Sequence, residues 1–329
     1  VLTAALVAGP SGALLVAGAL LFGFVSGSND GGTLVSLSTR TSVIPPGTAL
    51  VLLALFVTVG PLLVGTAVAT TVAHRLVSFG GAGGRPVLLA AVVASLLVVF
   101  ALTRLGLSTS LTLALIGGIV GAGVGDGLRV SWGVVGGVLA TGLAAPLAAV
   151  GVAYLLTRLA SALPASWWVE RPGRLLQGAG FSLQCLAYSA NDAQKMVALL
   201  ALGTGVLTAP VAVHWDTQLA LGVLYALGVV VGVRPLAGRI AERVLPVRSA
   251  NAVVLELSAA AVVLGSSALG APISSTQAAT TALVGTGLAS SSHRVRWHEV
   301  ASIGTAWVST LPSSLALGIV AGLAVRTLR

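Results

Sequence analysis

Ser189-Ala190-Asn191-Asp192-Ala193-Gln194-Lys195 is a polar string inside a stretch otherwise oily enough to span a bilayer. A shorter string, Gly27-Ser28-Asn29-Asp30, has the same setting. An Asn-Asp pair in hydrocarbon costs free energy unless it is paired or something binds there. Here it occurs twice, Asn29 and Asn191 standing 162 residues apart in a chain of 329. That pattern points to a membrane transporter with one site shared by two related halves.

The composition agrees. The chain is 56% hydrophobic and 8% charged, with a mean hydropathy of +1.04, whereas a soluble domain carries about 25% charged residues. Continuous apolar runs of about 20 residues favour helices over a barrel. The expected fold is an all-α polytopic membrane protein in a bacterial-type plasma membrane. The net charge of +9 sits in arginines that flank the apolar runs, as membrane anchors do, so no nucleic-acid partner is implied. Cys185 is the only cysteine, which excludes an internal disulfide and a Cys-x-x-Cys site. The first residues lack a basic leader, so 1–24 reads as a first membrane helix.

Apolar runs predict spans over 6–26, 47–73, 86–102, 132–156, 175–202, 218–233, 250–264 and 301–325. Polar breaks lie at 74–85, 158–174, 234–248 and 290–298, and the arginines of 234–248 favour a cytoplasmic loop. The break 158–174 holds Trp167 and Trp168 and reads as an interfacial connector. It divides the chain into a first membrane repeat (1–157), a connecting loop (158–174) and a second repeat (175–329). Two further segments, 106–123 and 270–287, are apolar but carry hydroxyls and glycines. At an offset of 164, Ser110 meets Ser274, Thr112 meets Thr276 and Gly121 meets Gly285. Two features with nearly one offset imply an internal duplication. Polar segments of this kind suit re-entrant hairpins, since irregular backbone at membrane depth must face protein or a watery cavity. The plainer alternative is that their small residues let helices pack closely. The expected architecture is two inverted repeats with paired re-entrant helical hairpins.

Asp30 and Asp192 are the residues that can do chemistry. With Asn29 and Asn191 beside them, they offer oxygen ligands that suit Na+; the same carboxylates can instead carry H+. Capping a broken helix is the plain alternative. Lys195, the only lysine, lies three residues after Asp192 and shares its helix face; it reads as an internal ion pair or as a positive charge near an anion. Arg40 invites the same two readings. Ser108, Ser110 and Thr112, like Ser274, Ser275 and Thr276, can donate to an oxyanion at helix N-termini. Glu256 reads as a buried contact to a hairpin or as a titrating group. Asp126 and Arg129 read as a loop pair, Asp216 and Glu242 as loop charges.

These motifs resemble the inorganic phosphate transporter (PiT) family. Ala187 to Lys195 looks like its Gly-Ala-Asn-Asp-Ala-Gln-Lys signature, and Gly27 to Asp30 like the first copy of it. Pro272-Ile-Ser274-Ser275-Thr276 resembles the family's hairpin motif, and Trp297 to Pro312 its last helix. The resemblance implies a symporter for inorganic phosphate driven by Na+ or H+, with no cofactor and with a homodimer among its expected partners. Carried over by position, the substrate and ion site comprises Asn29, Asp30, Ser110, Thr112, Asn191, Asp192, Ser274, Ser275 and Thr276. Asn29, Asp30, Asn191 and Asp192 would hold Na+ in a sodium-coupled protein. Lys195, Gln277, Glu256 and Arg40 would stand behind them. The chain departs from the pattern at Leu113 and Gln277, where the family's hairpin histidines stand, at Ser108 and Leu111, and at Gly32-Thr33. A sulfate or other oxyanion permease and a drifted non-transporting paralogue are the alternatives. An enzyme is not expected: His74, His214, His293 and His298 sit in predicted breaks or at span ends, no two share a metal spacing on one helix, and no cysteine partner is near.

Overall fold

The computed structural model describes residues 9–41, 43–79, 83–105, 109–205, 211–236, 249–291 and 295–329. Fourteen α-helices account for nearly all of them, and no strand is present among the described residues. They are α1 (Gly9–Ser26), α2 (Gly32–Ser38), α3 (Pro46–Val64), α4 (Ala67–Thr70), α5 (Gly84–Arg104), α6 (Leu111–Asp126) and α7 (Trp132–Ala160), followed by α8 (Ala165–Val169), α9 (Arg171–Tyr188), α10 (Gln194–Thr204), α11 (Trp215–Leu236), α12 (Ser249–Ala268), α13 (Ser275–Ser290) and α14 (Trp297–Thr327). Among the described residues, seven helical segments are long and apolar enough to cross a membrane: Gly9–Ser38, Pro46–Val64, Gly84–Arg104, Trp132–Ala160, Trp215–Val233, Ala250–Ala268 and Trp297–Thr327. The chain is an integral membrane protein.

Three predicted spans come out differently. The run 47–73 stops at Gly65, whose φ of 78° breaks the helix, and resumes as α4 and a wide turn at Thr71–Arg75. The run 6–26 does not end at its polar string but continues through it to Ser38. The run 175–202 is helical from α9 to α10 but too polar to stand among the seven, because it carries Asp192, Lys195 and three glutamines. Trp168 is buried against the edge of Trp167, not splayed toward lipid. Asp126 pairs with Arg329 at 3.4 Å instead of Arg129. Asp216 stands in the first turn of α11. Ser108, Glu242, His293, most of the 234–248 segment and the side chain of Arg40 lie outside the described residues.

Both Asn-Asp strings fall on wide π-helical turns, Gly27–Gly31 and Ser189–Ala193, each set inside a longer helix. Such turns insert a residue into the hydrogen-bond ladder and are common at functional positions. Glycine lets the first one sit deep. A Cβ on Gly31 would overlap the Tyr225 hydroxyl of α11, and one on Gly27 would overlap the Tyr225 carbonyl. In return, Gly228 and Gly232 of α11 lie against the backbone of Phe24 and Ser28.

The packing interlocks the two halves. α11, late in the chain, packs on the first π turn, while the early α3 packs on the second. α6 lies along α14, and α13 lies along α7. Gly117, Gly121 and Gly125 form a stripe at four-residue spacing that meets the backbone carbonyls of Leu311, Leu315 and Ile319. Gly117 and Gly121 of the 106–123 segment are therefore packing residues, while its Thr112 hydroxyl reaches Lys195. α6 and α13 have 16 residues each, about 24 Å at 1.5 Å per residue, short of the roughly 30 Å hydrocarbon thickness.

Candidate ion and anion site

Each of the two short helices opens on a capping serine. Ser110 Oγ accepts from the Leu113 amide (3.3 Å) and Ser274 Oγ from the Gln277 amide (3.4 Å). Both serines are in extended backbone, φ −108° and −93°, as N-caps require. The first turns of α6 and α13, each entered through an extended cap residue, lie beside the second π turn and Lys195.

Lys195 is the hub. Its ammonium donates to Asp192 Oδ1 at 2.7 Å, to Thr112 Oγ1 at 2.6 Å and to the Ile273 carbonyl at 2.7 Å. Those three bonds use all three of its protons. Thr112 also donates to the Ile273 carbonyl at 3.0 Å. The other oxygen of Asp192 accepts from Ser275 Oγ. Side chains from α6, α10, α13 and the second π turn thus meet at one point, with Lys195 2% and Asp192 3% exposed. A buried pair of this kind is tolerated only when its remaining lone pairs and protons are satisfied, and here they are.

Asn191 fastens the turn that enters α13. Its Oδ1 accepts from the Ile273 amide (3.1 Å), and its Nδ2 donates to Ser267 Oγ (3.0 Å) and the Ala271 carbonyl (3.2 Å). Gln194 does the same for α4, its Oε1 accepting from the Val68 (2.8 Å) and Ala69 (3.1 Å) amides. Ser274 and Thr276 bond each other at 3.0 Å.

The first copy is built differently. Asp30 is buried, and its Oδ1 accepts from Asn29 Nδ2 at 2.8 Å. Thr33 stands where Lys195 would by the 162-residue offset, and it donates to the Asn29 carbonyl at 2.7 Å. Asp30 is close enough to Asp192 and Lys195 to interact with both, and Ser26 also reaches it. Ser26 and Tyr188 bond each other at 2.9 Å, and the Tyr188 ring leans on Tyr225 at 5.5 Å. Tyr225 Oη has no hydrogen-bond partner among the described residues.

Of the predicted residues, the structure brings Thr112, Asp192 and Ser275 together around Lys195, with Asp30 and its partner Asn29 alongside. Ser110, Ser274, Thr276 and Asn191 shape the turns next to them. Gln277 contributes its amide to Ser274, and Glu256 lies away from this cluster, between α9 and α12. Sequence reasoning missed Ser26, Tyr188, Tyr225 and the Ile273 carbonyl. The tyrosines had one visible signal: Tyr188 precedes Asp192 by four residues, on one helix face.

The sequence profile of the phosphate transporter family matches residues 26–170 and again 166–318. The chain belongs to that family. A probable low-affinity inorganic phosphate transporter of Rhizobium meliloti is 28% identical over 308 residues, covering 91% of this chain and 92% of that protein. One of the same description from Mycobacterium bovis is 31% identical over 320 residues, covering 91% and 74%. A solved structure, the sodium-dependent phosphate transporter, superposes with a TM-score of 0.80 over 97% of this chain and all of that one, at 16% identity. Membership in a transporter family agrees with the sequence reading against an enzyme.

Proposed function

We propose that this member of the phosphate transporter family moves inorganic phosphate across the membrane with a co-transported cation, through one site shared by repeats 1–157 and 175–329. The meeting of Lys195, Asp192, Thr112 and Ser275 carries the reading. It joins two hydroxyls that can turn from their present acceptors to an oxyanion, a fixed positive charge and the N-terminal turns of two helices, all in a buried setting where each charge needs its opposite.

The duplication is supported by one contact between counterpart residues: Ser26 and Tyr188 touch and are 162 residues apart, the offset of the two Asn-Asp strings. A residue that touches its own counterpart lies on a pseudo-symmetry axis, so in this reading the axis passes beside Asp30 and Asp192. In the inverted-repeat reading, α5–α6 and α12–α13 are the two hairpins, and their interlocked packing lets one half rock against the other around the site.

The two carboxylates take different roles in this reading. Asp192 already holds a tethered cation, Lys195. Among the described residues, Asp30 has only neutral partners in direct contact, Asn29 and Ser26, and in this reading it is the place for the mobile cation. Na+ is the first choice, because the structural neighbour is described as sodium-dependent and the groups around Asp30 are oxygen-rich. The test is uptake of labelled phosphate into proteoliposomes, with sodium and proton gradients imposed separately and sulfate added as competitor. Uptake under the sodium gradient is expected. Folded protein that takes up no phosphate under either gradient refutes the proposal, and complete block by equimolar sulfate reassigns the substrate.

A further inference from the structure

Glu256 is the buried carboxyl that the proposed transport site does not use. It lies in α12 with no exposed surface, and neither carboxyl oxygen has a hydrogen-bond partner among the described residues. It rests on α9: a Cβ added to Gly180 would stand 3.1 Å from its Oε2 and 3.4 Å from its Cβ. Gln177 and Gln184 flank Gly180 on the same face of α9, three residues before and four after. Both are buried, and the Oε1 of each is also without a partner among the described residues. Gln177 is held in place by its Nε2, which donates to the Ser38 carbonyl and Thr41 Oγ1. The Ser38 hydroxyl, buried and unbonded, faces the Glu256 carboxyl.

The first half of the chain supplies an internal control. Gly18 precedes Gly180 by 162 residues, and a Cβ on it would face Val92, at 3.5 Å. Val92 precedes Glu256 by 164 residues. At the 162-residue offset, Leu15 and Phe22 replace Gln177 and Gln184, and both are core residues. The same helix crossing is therefore built once from hydrocarbon and once from a carboxyl, two amides and a hydroxyl. Packing alone does not call for the polar version, which buries groups that cost free energy when unpaired.

We propose that Glu256, framed by Gln177, Gln184 and Ser38, is a proton-binding site distinct from the cation site at Asp30. An ionised carboxylate here would need a positive partner, and the elements packed on α12 bring none to it among the described residues. From α9, Cys185 faces Glu256, Arg171 and Arg174 are exposed, and Tyr188 is bonded to Ser26. On the second π turn, Asp192 is held by Lys195. Arg158 of α7 is exposed and lies over Tyr154, while α2, α4 and α13 contain no titratable side chain. The close fit against Gly180 leaves no ion-sized gap on that side, whereas a proton needs none. Once protonated, the carboxyl donates to an amide oxygen and the crossing closes. Loss of the proton leaves a bare charge between two helices. α9 leads into Asn191 and Asp192, and α12 leads into the turn at Ala271–Ile273 that Asn191 and Lys195 hold. The proton on Glu256 therefore controls how firmly the two walls of the transport site are joined, twelve residues along α9 from Asp192, or about 18 Å at 1.5 Å per residue.

Infrared difference spectroscopy on reconstituted protein tests this without any transport measurement, so its failure leaves the phosphate reading untouched. Wild type minus Glu256→Gln, at neutral pH, is expected to contain the carbonyl band of one protonated carboxylic acid, unmoved by added Na+. Glu256→Val, which copies Val92, is expected to remove the same band. Raising the pH is expected to speed hydrogen exchange along α9 and α12 in the wild type, with no such change in Glu256→Val. The proposal fails if the difference spectrum lacks the band, or if Na+ abolishes the band at constant pH, which would make the occupant a metal ion. If Glu256→Val does not fold, the isosteric Glu256→Gln carries both measurements, with the same outcomes deciding.

Discussion

Removing the Lys195 side chain tests the idea of a tethered cation most directly. Lys195→Ala deletes three hydrogen bonds of 2.6 to 2.7 Å and strands Asp192 in a buried position. Breaking a buried ion pair from one side costs about 3–5 kcal/mol, because the remaining charge is uncompensated. At 1.4 kcal/mol per decade, this lowers the folded-to-unfolded ratio by roughly two to three and a half orders of magnitude. Two remedies follow from the same physics. Asp192→Asn in the Lys195→Ala background removes the stranded charge and is expected to recover most of the loss. A mobile cation can also take the vacant place, so Lys195→Ala alone is expected to gain Na+-dependent stability by mass action, about 2.7 kcal/mol at a concentration 100 times its Kd. The assay is thermal unfolding of purified protein across a sodium series, for wild type, both single variants and the double variant. The reasoning is refuted if Lys195→Ala melts like the wild type in sodium-free buffer, or if the double variant is no more stable than Lys195→Ala.

Asp30→Asn should leave the protein folded, since its direct contacts are neutral, yet abolish cation-driven phosphate uptake; retained sodium-dependent uptake in proteoliposomes would contradict the role given to Asp30. Gly31→Ala places a methyl on the Tyr225 hydroxyl and should destabilise by about 1–3 kcal/mol as an overpacked contact; the double variant with Tyr225→Phe should recover part of this in the same melting assay. Gln194→Ala leaves the Val68 and Ala69 amides without their acceptor, a loss of about 1–3 kcal/mol per buried unsatisfied group, with faster hydrogen exchange over Ala67–Thr70 as its local signature.

Much of the site was legible because polar residues in hydrocarbon are conspicuous. Asp30, Asp192 and the hydroxyls of Thr112 and Ser275 stand out against apolar neighbours, and near-equal offsets pair Asp30 with Asp192 and Thr112 with Thr276. Tyr225 and the Ile273 carbonyl were not legible. An aromatic residue in an apolar run looks like core, and every residue has a carbonyl. Glu256 was visible as an anomaly but was expected behind the transport site; only its contact with Gly180 assigns it to the α9–α12 crossing. Gly117 and Gly121 supported two readings, and their spacing of four became decisive once α14 lay against them.

From the sequence alone come the membrane class, the two Asn-Asp strings and their near-equal offsets, since hydropathy and spacing are properties of the chain in one dimension. The tertiary structure decided which charge answers which. Lys195 could have served an anion or an aspartate, and it is the convergence of α6, α13 and the second π turn that hands it to Asp192 and leaves Asp30, among the described residues, without a tethered cation. Electrostatic partnership depends on distance and on exclusion of water, and the folded packing supplies both.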